Sequence, residues 1–187
     1  MISAWLGHFL DKPLEPLARR VRVNPNLLTI TGFLITTVAC LFIPWQPLTG
    51  GVLILLGGAF DMFDGIVART NGKTSPFGAF LDSVLDRYSD SFIFLSISYL
   101  FILRDDLLGA ALSLGTLIGA LLISYARARA EGLGLDCHTG LMERPERIIL
   151  VSAGCITGYI VPVIWALFIL THITVIQRIL HVRKRAG

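Results

Sequence analysis

The chain has 187 residues, of which 54% are hydrophobic and only 16% are Asp, Glu, Lys or Arg. An ordinary soluble domain is about 25% charged, so this composition lacks the groups that solvate a globular surface. With a mean hydropathy of +0.72, it excludes a soluble globule, a disordered chain and a disulfide-rich secreted scaffold. The net charge is only +3, so we expect a lipid bilayer and no nucleic acid as partner.

The first segment of the chain predicts a helix that lies in the membrane interface. Its apolar residues recur at helical spacing: Ile2, Trp5, Leu6, Phe9 and Leu10. We therefore expect an amphipathic helix within residues 1–22, broken near Pro13 and Pro16. The first ten residues lack a basic start followed by an apolar run, so no cleavable signal peptide is expected.

Six apolar runs follow, and a helix that spans a bilayer needs about 20 largely apolar residues. The runs cover approximately residues 27–45, 48–68, 77–103, 107–126, 146–161 and 163–181. We expect the fifth helix to end before Pro162, because a proline ring breaks a helix interior. The sequence thus predicts an all-α polytopic membrane protein with six transmembrane helices. It forms a single domain over 1–187, with the interfacial helix in 1–22 and the six-helix bundle in 24–187.

The basic residues indicate how this bundle is oriented. They lie before the first run and in alternate loops: Lys12, Arg19, Arg20, Arg22, Arg69, Lys73, Arg127, Arg129, Arg144, Arg147, Arg183, Lys184 and Arg185. The loops on the opposite side contain only Arg104, which two aspartates follow. Since positive loops stay inside, we expect an integral protein of the cytoplasmic membrane with both termini in the cytoplasm.

Four aspartates interrupt the second and third runs near the cytoplasmic side: Asp61, Asp64, Asp82 and Asp86. Spacings of three and four residues place the members of each pair on one helix face. Residues 70–76 between the pairs are rich in turn formers, so the two runs predict a helical hairpin. Folding it about residue 73 brings Asp64 to the depth of Asp82, and Asp61 to the depth of Asp86.

Four carboxylates in a low-dielectric site cannot all remain ionised unless cations neutralise them. Oxygen ligands suit Mg²⁺, Mn²⁺ or Ca²⁺, and two such ions are typical of sites that move phosphoryl groups. Gly65 and Gly78 leave room for a ligand beside the acids, and Arg69 is close enough to bind a phosphate. A proton relay or ion-pair network in a cation transporter is the alternative at this point.

The spacing of these residues carries a family resemblance. The pattern is Asp61-x-x-Asp64-Gly65-x-x-Ala68-Arg69, then eight residues, then Gly78-x-x-x-Asp82-x-x-x-Asp86. It closely resembles the signature of the CDP-alcohol phosphotransferase family. The sequence Asn-Pro-Asn-Leu-Leu-Thr over 24–29 is similar to that family's entry into its first helix.

The resemblance implies a dimeric membrane enzyme with a cytoplasmic active site, in which an acceptor hydroxyl displaces CMP from a CDP-linked lipid. It implies Mg²⁺ or Mn²⁺, as two ions, and Asp86 as both metal ligand and general base. The implied metal ligands are Asp61, Asp64, Asp82 and Asp86. The implied contacts to the CDP donor are Asp61, Gly65, Ala68, Arg69, Gly78, Asn26 and Thr29.

A second basic region follows the fourth run. It contains Arg127, Arg129, Arg144 and Arg147, more positive charge than one pyrophosphate with metals requires. A phosphate on the acceptor explains the excess, because guanidinium groups match phosphate oxygens. Pro145 would begin the fifth helix, whose N-terminus favours phosphate.

The segments 124–131 and 140–147 resemble the family branch that uses inositol phosphate, the phosphatidylinositol-phosphate and archaetidylinositol-phosphate synthases. The resemblance implies that the four arginines hold inositol phosphate. Glycerol 3-phosphate as acceptor, a soluble CDP-inositol donor and simple positive-inside anchoring stay open. Asp90 continues the face of Asp86, where it is either an outer partner of the site or a packing or dimer residue.

Overall fold

The computed structural model describes residues 13–21 and 23–186, and the regular elements in these ranges are all α-helices. The all-α prediction is confirmed. A short helix, α1, covers residues 13–20. The longer helices are α2 (Pro25–Phe42), α3 (Pro47–Thr70), α4 (Pro76–Leu103), α5 (Leu107–Glu131), α6 (Arg144–Thr157) and α7 (Ile160–Ala186).

Local sequence signals begin most of these helices. Asn24 caps α2, Ser75 caps α4 and Asp106 caps α5. Each cap side chain accepts a hydrogen bond of 2.8–3.0 Å from a backbone amide two or three residues ahead. A proline lies in the first turn of α2, α3, α4 and α6, where its missing N–H costs no intrahelical hydrogen bond.

The break between α6 and α7 lies elsewhere than predicted. Helix α6 ends at Thr157, and Gly158 adopts a left-handed backbone with φ of 81°. The fifth predicted helix thus ends before Pro162, as expected, but Pro162 lies in the first turn of α7 and is not the residue that ends it. The physical reason is that glycine adopts positive φ without steric cost, whereas a first-turn proline is compatible with a helix.

The predicted interfacial helix lies mostly outside the described residues, which exclude 1–12 and residue 22. In the part that is described, residues 13–20 are helical, so the predicted break at Pro16 is wrong, while the predicted break at Pro13 borders the residues outside the description. The Asn71 side chain at the end of α3 ties α1 down. Its amide donates hydrogen bonds to the backbone carbonyls of Ala18 at 3.1 Å and Val21 at 3.0 Å.

Four of the described helices, α2, α3, α5 and α7, are long and apolar enough to cross a membrane. The other two longer helices are not among these four. Helix α4 has 28 residues, but its first half contains several charged residues, and α6 has only 14 residues. The chain is therefore an integral membrane protein.

Close helix packing positions the carboxylate-bearing helices. Helix α3 packs against α2 and α6, while α4 packs against α2 and α5. A Cβ built on Gly57 of α3 would overlap the Thr36 hydroxyl, and one on Gly32 of α2 would lie 3.0 Å from the Gly57 carbonyl. The two backbones therefore approach closely, and α2 and α6 are the helices that pack along α3.

Candidate active site

Three of the four predicted metal ligands converge between α3 and α4. Asp61, Asp64 and Asp82 each offer one carboxylate oxygen, and these atoms lie within 4.8 Å of one another. Asp64 is buried, and its Oδ2 has no hydrogen-bond partner among the described residues. Three converging carboxylates with an unpartnered buried oxygen fit a divalent cation, which would neutralise their repulsion.

The fourth carboxylate, Asp86, is joined to this group through a guanidinium. Nη1 of Arg144 lies 2.5 Å from Oδ2 of Asp61 and 2.8 Å from Oδ1 of Asp86. The carboxylates of Asp61 and Asp86, which lie on opposite arms of the helical hairpin, therefore both contact the Arg144 guanidinium. Arg144 is the first residue of α6, 83 positions from Asp61, so the packing of α6 against α3 makes this contact.

A cavity of about 200 Å³ lies on one side of the carboxylates. Of the seven residues predicted to contact the CDP donor, six line it: Asn26, Thr29, Gly65, Ala68, Arg69 and Gly78. Asp64 and Asp82 also line it, whereas Asp61 lies behind them, in the three-carboxylate group. We call this space the donor cavity.

The two glycines of the donor cavity keep it open. A Cβ on Gly78 would lie 2.9 Å from the Asn26 side-chain oxygen. One on Gly65 would lie 3.2 Å from a guanidinium nitrogen of Arg69. Any larger side chain would therefore fill the space between these polar groups.

A second cavity of about 240 Å³ lies on the other side, between α4, α5, α6 and α7. Three of the four arginines predicted to bind the acceptor line it, namely Arg127, Arg144 and Arg147. Arg129 is exposed and is not among the lining residues. Asp86 lines this cavity, so the two cavities lie one α4 turn apart, and we call this one the acceptor cavity.

The floor of the acceptor cavity contains a buried ion pair. The Arg147 side chain is 2% exposed, and its Nη2 lies 2.5 Å from Oδ2 of Asp90. Nε and Nη1 of Arg147 have no hydrogen-bond partner within the described ranges. The sequence left two roles open for Asp90, an outer partner of the site or a packing or dimer residue. In the structure its side chain contacts Arg147, which lines the acceptor cavity.

Arg178 also lines the acceptor cavity, although its sequence position did not predict a place in the site. It lies on α7, is almost fully buried, and donates hydrogen bonds to the carbonyls of Ile123 and Thr139, at 2.5 and 2.9 Å. It thereby ties α7 to α5 and to the loop that leads into α6. The signal was present, because an arginine inside an apolar run is expensive and usually has a specific partner.

A helical membrane bundle that holds a carboxylate cluster between two polar cavities is the architecture of a metal-dependent membrane transferase. The chain belongs to the CDP-alcohol phosphatidyltransferase family, whose model it matches over residues 22–182. It is therefore a CDP-alcohol phosphotransferase. It is 37% identical over 179 residues to archaetidylinositol phosphate synthase of Methanothermobacter thermautotrophicus, covering 92% of this chain and 89% of the relative.

Two crystal structures of Mycobacterium tuberculosis phosphatidylinositol phosphate synthase (PgsA1) have a similar fold. The complex with CDP-DAG has a TM-score of 0.80 and 33% identity, and covers 90% of this chain and 92% of that one. The complex with manganese and citrate has a TM-score of 0.81 and 31% identity, and covers 92% and 88%. The aspartate cluster of this chain supplies the carboxylate oxygens that divalent cations such as Mg²⁺ and Mn²⁺ prefer as ligands.

Proposed function

We propose that this enzyme transfers a phosphatidyl-type group from a CDP-linked lipid, CDP-diacylglycerol or CDP-archaeol, to inositol phosphate and releases CMP. The observation that carries the proposal is the placement of the carboxylates between a cavity lined by the donor residues and a separate basic cavity. A transferase needs room for both substrates at one reacting centre, and this arrangement supplies it. The names of the relatives support the choice of substrates.

The donor cavity would hold the cytidine diphosphate portion, with Arg69 near its phosphates. Asp61, Asp64, Asp82 and Asp86 would hold Mg²⁺ or Mn²⁺, as two ions that offset the pyrophosphate charge and stabilise the leaving CMP. Asp86 lines the acceptor side, where its carboxylate would accept the proton of the attacking hydroxyl. The hydroxyl oxygen then bonds to the lipid-linked phosphorus, and the bond from that phosphorus to the CMP oxygen breaks.

The acceptor cavity would bind the phosphate of inositol phosphate. Arg144 and Arg127 line its wall, and two nitrogens of Arg147, Nε and Nη1, offer unpartnered donors from its floor. Buried guanidinium donors that lack an acceptor favour an anionic ligand, because an unsatisfied buried donor is costly. Arg129 does not line the cavity, and a role for it in binding the acceptor at the cavity entrance stays a prediction.

The remaining architecture completes the proposal: six transmembrane helices in one domain, an interfacial N-terminal helix, both termini and the active site in the cytoplasm, and a homodimer. Helix α4 would span with its charged face toward the site. Helix α6 rises only about 21 Å, against a hydrocarbon core of about 30 Å. It would therefore begin below the membrane surface, at the acceptor cavity, which its first residue lines.

The test is a comparison of acceptors. Purified enzyme receives one CDP-lipid and Mg²⁺ with inositol phosphate, glycerol 3-phosphate or unphosphorylated inositol, each separately, and CMP release is followed. We expect release with inositol phosphate only, and none from an Asp86→Asn variant. Equal or faster release with glycerol 3-phosphate would overturn the acceptor, and equal release with free inositol would overturn the phosphate-binding role of the cavity.

A further inference from the structure

Asp90 has the geometry of a residue that acts on the acceptor through other side chains. It lies on α4 one turn beyond Asp86, and it is 3% exposed. Its Oδ2 lies 2.5 Å from Nη2 of Arg147, and its Oδ1 lies 3.9 Å from Nε of Arg144. One buried carboxylate thus faces both guanidinium groups at the start of α6.

The position of Asp90 separates it from the metal-binding group. The three converging carboxylates, Asp61, Asp64 and Asp82, do not include it. It lines the acceptor cavity, together with Arg144 and Arg147, and does not line the donor cavity. Its effect on the reaction is therefore expected on the acceptor side.

The hydrogen-bonding pattern of Arg147 shows what Asp90 would do. One terminal nitrogen of the guanidinium is bound to Asp90, while Nε and Nη1 have no partner among the described residues. A guanidinium is a planar fork, so fixing one nitrogen fixes the direction of the others. The Asp90 carboxylate also compensates the buried positive charge of Arg147. Without it, the guanidinium would favour another orientation.

We infer that Asp90 is a positioning residue for the acceptor phosphate, which it serves by orienting Arg147 and holding Arg144 beside it. The inference rests on the proposed function, because it assigns the acceptor cavity to a phosphorylated alcohol. It does not depend on which phosphorylated alcohol that is. Asp90 touches neither the reacting atoms nor the donor.

The test is the Asp90→Asn variant, assayed with whichever phosphorylated acceptor supports CMP release by the wild-type enzyme. Asparagine has the same shape but lacks the charge, so the charge-assisted hydrogen bond that orients Arg147 is weakened. We expect KM for the acceptor to rise about tenfold or more, the scale found when a partner that orients a ligand-binding side chain is removed. KM for the CDP-lipid and the Mn²⁺ dissociation constant, measured by electron paramagnetic resonance, should change less than about threefold.

Three further variants keep the experiment decisive. Asp90→Glu restores the charge and should recover part of the acceptor affinity. Asp136→Asn makes the same substitution at an exposed carboxylate in the loop between α5 and α6, where the carboxylate of Asp136 forms an ion pair with Arg185 alone among the described residues. It should leave every parameter unchanged. If Asp90→Asn does not fold, the double variant with Arg147→Gln removes both buried charges together and should still show the raised acceptor KM.

Distinct results would overturn the inference. A lower melting temperature in detergent with all kinetic constants unchanged would make the Asp90–Arg147 pair a structural strut. Weaker Mn²⁺ binding would make Asp90 a metal ligand. A normal acceptor KM in the double variant would also exclude the role. Failure of the proposed function looks different, because no phosphorylated acceptor would then support CMP release by the wild-type enzyme.

Discussion

Replacing Asp86 by asparagine should separate the proton-accepting role from metal binding. Asparagine has the same shape as aspartate, so the packing of residue 86 beside Nη1 of Arg144, which lies 2.8 Å from the Asp86 carboxylate, is preserved. What disappears is the basicity of the side chain. Because general base catalysis contributes about 10²- to 10⁴-fold, we expect kcat to fall by that factor, equivalent to about 3–5 kcal/mol of transition-state stabilisation.

The same variant should retain most of its affinity for the first metal ion. The three converging carboxylates exclude Asp86, so the site they form survives the substitution. We therefore expect an Mn²⁺ dissociation constant for the tighter site within about threefold of wild type, and unchanged CDP-lipid binding. If two ions bind, the weaker one should be lost, because Asp86 is its expected ligand.

CMP release, Mn²⁺ titration by electron paramagnetic resonance and CDP-lipid binding together test this prediction. Asp106→Asn is a matched control, because asparagine caps a helix as well as aspartate does and Asp106 caps α5 away from the site. Turnover of Asp86→Asn within about threefold of wild type would remove Asp86 from the base role. Loss of the tighter Mn²⁺ site would instead show that Asp86 serves mainly as a metal ligand.

Four other substitutions and one metal-removal experiment follow from the structure. Asp64→Asn should weaken Mn²⁺ binding about 10- to 100-fold in the same titration, because it removes one negative charge from the three-carboxylate group; unchanged binding would place the ion elsewhere. Gly57→Ala should destabilise the protein by about 1–3 kcal/mol, seen as a lower melting temperature in detergent, since the added methyl overlaps Thr36; an unchanged melting temperature would contradict the close approach of α2 and α3. Arg127→Gln should raise the acceptor KM about tenfold, while Arg129→Gln, outside the cavity, should raise it less than about threefold; equal effects would refute the lining assignment. Chelation with EDTA should abolish both CMP release and CDP-lipid binding, and added Mn²⁺ should restore both; donor binding that persists in EDTA would show that the metal acts only in the chemical step.

The aspartate hairpin could be predicted from sequence because its geometry is local. Spacings of three and four residues set the helix faces, and a short turn sets the register between the two arms. Asp64 and Asp82 therefore meet where the symmetry of the hairpin requires. The donor cavity follows for the same reason, since Gly65, Arg69 and Gly78 lie on the same two helices.

The acceptor side could be predicted only in part, because it depends on how distant helices pack. No spacing rule relates Arg144 to Asp61, and the residues between them form two long helices. From sequence, Arg178 belongs with the basic C-terminal signal, although its burial among apolar residues sets it apart from Arg183. The break between α6 and α7 was expected at Pro162 for another reason, because glycine and proline both commonly interrupt helices. In the structure the interruption is at Gly158, which adopts the left-handed conformation.

The charges of the site explain why metal and donor binding should depend on each other. Within the described residues, three arginines, Arg87, Arg144 and Arg147, form ion pairs with members of a group of five aspartates: Asp61, Asp64, Asp82, Asp86 and Asp90. With all five aspartates ionised, this group and its arginines would carry an excess of two negative charges, which would repel the pyrophosphate of a CDP-linked lipid. Two divalent ions would reverse that excess to a small positive charge. In the low dielectric of a membrane protein such a reversal would favour entry of an anionic donor, so we expect the cations to be needed for donor binding as well as for expulsion of CMP.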